Sequence, residues 1–581
     1  MPKRTPNLNL FEHDTTNDED LNSNFDIDTA LNDNWDAIDT AYGNLNTNKV
    51  SRELKTGSQS EYKVLSDNNF TSDEKTKLGG VATGAQVNVL EGLTLGGSNL
   101  EVSGKKIEIK DPEVTGARQS TIKDKTFASV DARIEELEED VDNIETTRGH
   151  VYGVRRKITN NSSSAWERLF DSVGKTANAT KNGGTVVNDF DNLAPWSEIK
   201  SCNYDLTTKK VKAWFGDVGF KFDGTNGDVF TYFPDTYIKI YQDNDYDYIL
   251  VADYPRAGFT HYDGFFIARY AAGLVDGTLR SYSGLVPAHN KTIGQFRTLA
   301  NALGSNFSLL DWRHFIIQAL YLVEYANYNA QGSIGQGIRN SQQSTALISE
   351  SNVNRIIVSS TSLYVGRTIG IGSAYASFSV ATDRKITAIA DYSDGTITGK
   401  VITFDGEPVN IAEGNIIWGC GQESGQCDSL GMKSGCINND NYHSVIYRGI
   451  ENWFSNMYQW VDGINIKDRV AYICKDHSEY TSDKFTDPYK ALGYTNGDTN
   501  GYSKALGFDP DEPLFRFPTE VGGSDSTYTA DYYAQNTGNR VARVGGYFDN
   551  GGYCGPWFWG LYSDSSNSAV GIGCRVLIDN Q

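Results

Sequence analysis

The sequence predicts an α+β multidomain fibrous chain, and three observations carry that prediction. At 581 residues the chain is too long for a single hydrophobic core. A stretch around residue 135 keeps a heptad repeat, and beyond Tyr152 the chain turns aromatic and glycine-rich without heptads. The expected order is an N-terminal helix, a narrow shaft of strands and coiled coil, then a C-terminal domain with a β-rich insertion.

The N-terminal 50 residues are rich in carboxylates, Asn and Thr. Leu21, Phe25, Ile27, Ala30, Leu31, Trp35, Ile38 and Tyr42 fall at roughly helical spacing. They predict one amphipathic helix after an extended arm, too small to form a core alone. Thr71 with Glu74 makes a capping box, and Gly79-Gly80 stops the short helix it starts. Leu93, Leu95, Leu100, Val102, Ile107 and Ile109 point to short strands with a Gly-Gly turn. Material this narrow needs partner chains to bury its apolar faces.

Phe127, Ile134 and Val141 occupy heptad a positions, and Val130, Leu137 and Ile144 occupy d. Two and a half heptads span about 27 Å and predict a short coiled coil. β-branched residues at both a and d disfavour a dimer.

Beyond Tyr152, helical periodicity predicts helices at 294–303 and 310–329, the latter through Leu310, Phe315, Ile316, Leu320, Val323, Tyr325 and Ala326. Residues 351–415 alternate Ile, Val, Thr and Ser between turns and predict a β-rich insertion. The last forty residues combine Tyr, Trp and Phe with Gly, Ser, Asn and Asp. Rigid aromatic area beside adaptable polar groups is the composition of a combining surface. Trp557, Phe558 and Trp559 are consecutive, so on a strand they cannot share a face, and at least one is expected to face out. The candidate contact residues are Tyr547, Asp549, Tyr553, Pro556, Trp557, Phe558, Gly560, Leu561, Tyr562, Asp564, Ser565 and Asn567. Tyr547, Tyr553, Phe558 and Tyr562 are the expected hot-spot anchors. Gly545, Gly546, Gly571, Gly573 and Arg575 are expected to be scaffold, and Trp559 suits either role.

Net charge of −22 argues against nucleic acid as a partner, since phosphate binding needs a basic face. No apolar run is long enough to predict membrane insertion, and the first residues lack the apolar stretch of a secretory signal. Seven cysteines (202, 420, 427, 436, 474, 554 and 574) are sparse for this length, so buried free thiols are expected rather than a disulfide scaffold. The spacing of Cys420, Cys427 and Cys436, with His443 nearest, does not match zinc ligand pairs. There is no His-Glu-x-x-His helix and no Gly-x-Ser-x-Gly elbow. Gly174-Lys175-Thr176 fails as a phosphate loop, because Leu169 stands where its first glycine belongs. No catalytic residue, metal or cofactor is assigned.

Two resemblances extend these readings. Residues 7–11 followed by 30–39 resemble the opening of bacteriophage tail-fibre proteins, and 70–88 resemble a motif of their shafts. That similarity implies a virion-attachment segment at 1–50, a trimeric fibre shaft at 51–125 and a trimeric coiled coil at 126–148. The Gly-Gly-aromatic, Asn-Gly and Gly-x-Gly-x-Arg pattern of 545–575, with the core motif at 447–465, resembles diversity-generating-retroelement variable proteins. Those have a C-type-lectin-like fold shared with formylglycine-generating enzymes. The similarity implies a first lectin-like part at 149–350, a C-type-lectin-like core at 416–581 and a variable receptor-binding region at 540–578. It also implies a phage adsorption fibre, made in the host cytoplasm and carried on the virion. Its partners would be a bacterial cell-surface receptor (protein or glycan), two further copies of itself in a homotrimer, and a phage tail or other virion protein at the N-terminus. A structural or decorating fibre with a fixed tip is the alternative. Oxidase activity would need closely spaced cysteines, and Cys554 and Cys574 lack that spacing.

Overall fold

From residue 150 onward, Val, Ile, Tyr and Thr recur in short runs divided by Gly, Asn and Asp, and these runs form strands. The computed structural model describes residues 149–184 and 186–579, with short pieces at 3–4, 11–12, 94–95, 98–99, 102–103, 106–107, 119–120, 125–126 and 132–134. The chain divides into two compact units, residues 1–137 and 138–581. Among the described residues of the first are two-residue antiparallel ladders. Thr94–Leu95 pairs with Ser98–Asn99, and Val102–Ser103 with Lys106–Ile107.

In the second unit, two helices fall where periodicity placed them: α1 (Ile293–Asn301) and α2 (His314–Tyr325). Thr292 caps α1 through a capping box with Gln295, and Ile293, Phe296 and Ala300 give it one buried face. Helix α2 is buried on nearly every side and ends at Ala326, whose φ is +49°. Leu310 belongs to the chain before the helix rather than to it.

Six strands frame the aromatic C-terminal segment. They are β1 (Tyr458–Lys467), β2 (Gly501–Leu506), β3 (Tyr532–Gln535), β4 (Asn539–Gly545), β5 (Gly555–Ser563) and β6 (Val576–Asp579). The first five lie side by side in the order β1-β4-β5-β3-β2 within the largest sheet. The β3–β5 pair is parallel, and the others among these neighbours are antiparallel. Strand β6 joins a second sheet, pairing with both Phe265–Ala268 and Phe307–Leu309. A five-stranded sheet built on Val151–Lys157 contributes to the same core as α2. Strands between Gln343 and Gly419 enclose a hydrophobic cluster of their own, including Ile356, Ile369, Ile402 and Ile417.

The fold class differs from the expectation. Strand dominates the described residues, so the chain is a mostly β protein and not an α+β fibre. The described α-helix is limited to α1, α2, the turn Ala330–Ser333 and residues 132–134. Among the described residues no coiled-coil shaft or attachment helix is evident. Ile134 lies in the described turn at 132–134; Phe127, Val130, Leu137, Val141 and Ile144 lie outside the described residues. The same holds for Leu21 through Tyr42. Nothing identifies the C-type-lectin-like domain expected over 149–350 and 416–581, whose described residues are mostly strand, with α1, α2 and the turn Ala330–Ser333 in its first part. The physical reason is local: heptad or helical spacing persists over few residues, while most of the chain offers strand formers punctuated by turns.

Candidate functional site: an aromatic sheet face

Side chains alternate along β5, so Trp557, Trp559 and Leu561 project to one side and Phe558, Gly560 and Tyr562 to the other. The first side meets α2. Trp559 stacks on Phe315 at 5.0 Å between ring centroids, and Trp557 lies 5.6 Å from Tyr321. The Pro556 carbonyl accepts hydrogen bonds from His314 Nε2 at 2.8 Å and Gln318 Nε2 at 2.7 Å. Phe558, on the other side, belongs to a second buried cluster with Tyr458, Trp460 and Val541. All three consecutive aromatics are therefore buried. The expectation that one would face out fails because the sheet is covered on both sides.

That placement divides the predicted contact residues. Pro556, Trp557, Phe558, Gly560 and Leu561 are buried in the chain and cannot serve as a contact surface without rearrangement. Phe558 is thereby removed from the hot-spot anchors. Tyr553 is 40% exposed and Tyr562 is 37% exposed. Tyr547 is half-buried and stacks on Tyr458 at 4.9 Å. Asp549 is exposed and accepts from Ser341 Oγ at 2.6 Å. Asp564 is exposed and accepts from the Ser566 hydroxyl and amide, which hold its carboxyl below the usual range. Ser565 donates to Asp483 at 2.6 Å, and Asn567 is half-buried at the start of the return to the core.

The structure adds residues that composition did not single out. Tyr533 pairs with Trp559, which puts Tyr532 on the Phe558 side of β3, and Tyr502 pairs with Tyr532. Tyr553 stacks on Tyr532 at 4.1 Å and meets Tyr502 edge-on at 5.4 Å. Burial pushes the Tyr502 hydroxyl up to about 12, with the Asp525 carboxylate adding to the shift. On β4, Arg543 sits opposite Gly560 of β5 and Trp460 of β1. Its guanidinium carbon lies 4.0 Å from the Tyr458 ring centroid and 4.3 Å from that of Tyr562. A charged residue inside Val541-Ala542-Arg543-Val544 was the available sequence signal for this position. The result is an aromatic band across five strands, rooted in a core and open at Tyr547, Tyr553 and Tyr562.

The scaffold beneath is over-determined. Arg575 is fully buried and donates to Gln459 Oε1 and to the carbonyls of Ala268, Arg269, Glu451 and Asn452. Gly546 has φ +78°, and a Cβ there would fall 2.6 Å from Cys554 Sγ.

Reactive chemistry finds little support. All seven cysteines are buried and free. Cys420 Sγ lies 3.7 Å from Asp383 Oδ1, and His289 Nε2 lies 2.9 Å from Asp383 Oδ2. The carboxylate stands between thiol and imidazole; burial, reinforced by that carboxylate, pushes the Cys420 thiol well up, the reverse of what a nucleophile needs. Among the described residues no group of three or more His, Cys, Asp or Glu side chains is arranged to hold a metal ion. No helix among them is long and apolar enough to cross a membrane. No known family model matches this chain, and no curated protein matches it.

Proposed function

We propose that the chain is a phage adsorption protein that binds a bacterial surface receptor, protein or glycan, through the open rim of the aromatic band at Tyr547, Tyr553 and Tyr562. The observation that carries this reading is the tyrosine band: Tyr502, Tyr532, Tyr553 and Tyr562 are braced by neighbouring side chains, yet Tyr553 and Tyr562 keep exposed surface. Braced aromatics lose little conformational entropy on binding. The resemblances at 7–39 and 70–88 support attachment to a virion as a homotrimer, and avidity from several copies would offset weak single contacts. Retroelement diversification of 540–578 belongs to the same reading, with variation concentrated at exposed positions such as Asp549, Tyr553, Tyr562 and Asp564. The buried thiols are raised rather than activated, which lends no support to oxidase chemistry at Cys420, Cys554 or Cys574.

The test is adsorption of the purified chain to candidate host cells. Tyr553→Ala with Tyr562→Ala is expected to abolish adsorption at a cost of about 1–3 kcal/mol that leaves the chain folded; equal adsorption by the double variant refutes the reading. A fixed tip is the second reading, favoured by the burial of Pro556 through Leu561, where most substitutions would disturb the core. Sequencing the DNA beside the gene separates the two. A nearby copy of codons 540–578, differing only where the copy has adenines, next to a reverse-transcriptase gene, establishes diversification. Absence of both favours the fixed tip.

A further inference from the structure

Three segments, 196–200, 428–433 and the one carrying Arg448, line a cavity of about 500 Å3. Small-molecule sites run from about 300 to 1,000 Å3. Phe215, Leu430 and Met432 supply apolar lining that keeps some exposed surface. Bonds from distant parts of the chain fix these walls. Glu451 accepts from the amides of Gly425 at 2.9 Å and Cys427 at 2.7 Å. Arg269 Nη2 donates to the Gly431 carbonyl at 3.0 Å, and the Tyr270 hydroxyl donates to Asp428. Trp196 Nε1 donates to the Leu320 carbonyl of α2 at 3.2 Å. Gly431 has φ +60°, and a Cβ there would fall 2.6 Å from Phe215 Cζ, so glycine lets the turn close against that ring. The cavity is preformed.

The charges along its lining do not cancel. Arg448 is answered by Glu324 at 2.8 Å and by Asp191 at 3.1 Å. Asp428 accepts from Tyr270 and lies 3.6 Å from Arg269 Nε, while burial pushes its carboxyl up. Both acids of the lining therefore have a cationic neighbour. Lys200 and Lys433 are exposed and form no ion pair among the described residues. In a chain of net charge −22, the unanswered charge at this cavity is positive. Ser197 and Ser429 add exposed hydroxyl groups.

We propose that this cavity binds an acidic sugar, free or as a unit of a polymer. Its carboxylate or phosphate pairs with Lys200 and Lys433, and the apolar face of its ring lies against the wall of Phe215 and Met432. Charge-assisted hydrogen bonds to an ammonium favour either oxyanion over a neutral hydroxyl. An aromatic and a thioether side chain suit the C–H face of a sugar ring, and the two serines can meet its hydroxyl groups. None of Tyr547, Tyr553 and Tyr562 lines the cavity, so the site does not depend on the tyrosine rim being the contact surface.

The test titrates the full chain calorimetrically at about 0.15 M ionic strength, where the field of the acidic chain is screened within about 8 Å. Glucuronate and glucose-6-phosphate are compared with glucose. At least one acidic sugar is expected to bind about tenfold or more tightly than glucose. Tighter glucuronate marks a carboxylate ligand, and tighter glucose-6-phosphate marks a phosphate ligand. Lys200→Ala with Lys433→Ala changes two exposed side chains and is expected to weaken the acidic sugar by roughly tenfold or more. Ser429→Phe keeps both lysines and obstructs the cavity, and is expected to remove acidic binding. This second variant separates a ligand seated in the cavity from an anion held loosely by surface lysines, and thermal unfolding checks that both variants fold. Glucose binding as tightly as the acidic sugars, no binding of any of the three, or acidic binding unchanged in either folded variant overturns the proposal.

Discussion

Glu324 of α2 and Arg448 form a buried bidentate pair, with Nε to Oε2 and Nη2 to Oε1 both at 2.8 Å. Tyr447 donates to Glu324 Oε2 at 2.9 Å, and Asn188 donates to Oε1 at 2.7 Å. One carboxylate therefore ties the central helix to two distant segments. Glu324→Ala is expected to cost about 3–5 kcal/mol, because it leaves Arg448 buried without its main counter-charge. Denaturant unfolding measures it; a loss below about 1 kcal/mol would show the pair to be incidental.

Burial depresses His314 to about 4, while its Nε2 bonds the Pro556 carbonyl and its Nδ1 has no partner. The folded state thus binds fewer protons than the unfolded state between about pH 6.5 and pH 4. Its contribution is whole above pH 6.5 and is lost as pH falls through that window, by about 3 kcal/mol at most. Unfolding curves from pH 7 to pH 4 should show this slope. His314→Gln should flatten it, and an unchanged slope would assign the acid sensitivity elsewhere.

Trp557 and Tyr553 are four residues apart and should behave oppositely. Trp557→Ala empties a core site and is expected to cost about 3–5 kcal/mol. Tyr553→Ala loses a half-exposed stack on Tyr532 and an edge contact with Tyr502, about 0.5–1.5 kcal/mol, and should be read out chiefly in binding. Unfolding and adsorption measured on the two variants together test the division of this segment into core and rim.

Gly546→Ala forces a side chain into a left-handed backbone and against Cys554. A loss of about 1–3 kcal/mol is expected. Melting temperature checks it, and a neutral effect would show that the turn relaxes freely.

All seven thiols should be unreactive toward a thiol-specific reagent in the native chain and reactive in denaturant. Rapid native labelling of Cys554 or Cys574 would favour thiol chemistry there.

Local pattern in the sequence was enough to locate α1 and α2, since apolar residues at helical spacing need no distant partner to be legible. It also showed that Trp557, Phe558 and Trp559 alternate along a strand and that aromatic and polar residues concentrate near the C-terminus. It did not establish which of them are outside. Burial depends on what covers each face, and here the cover comes from far along the chain: Gln318 reaches Pro556 across 238 residues. The same limit applies to Arg543, whose guanidinium lies against the Tyr458 and Tyr562 rings only because strand register brings them beside it. Composition selected the region of the candidate site; tertiary packing alone decided which of its side chains are scaffold and which remain free to bind.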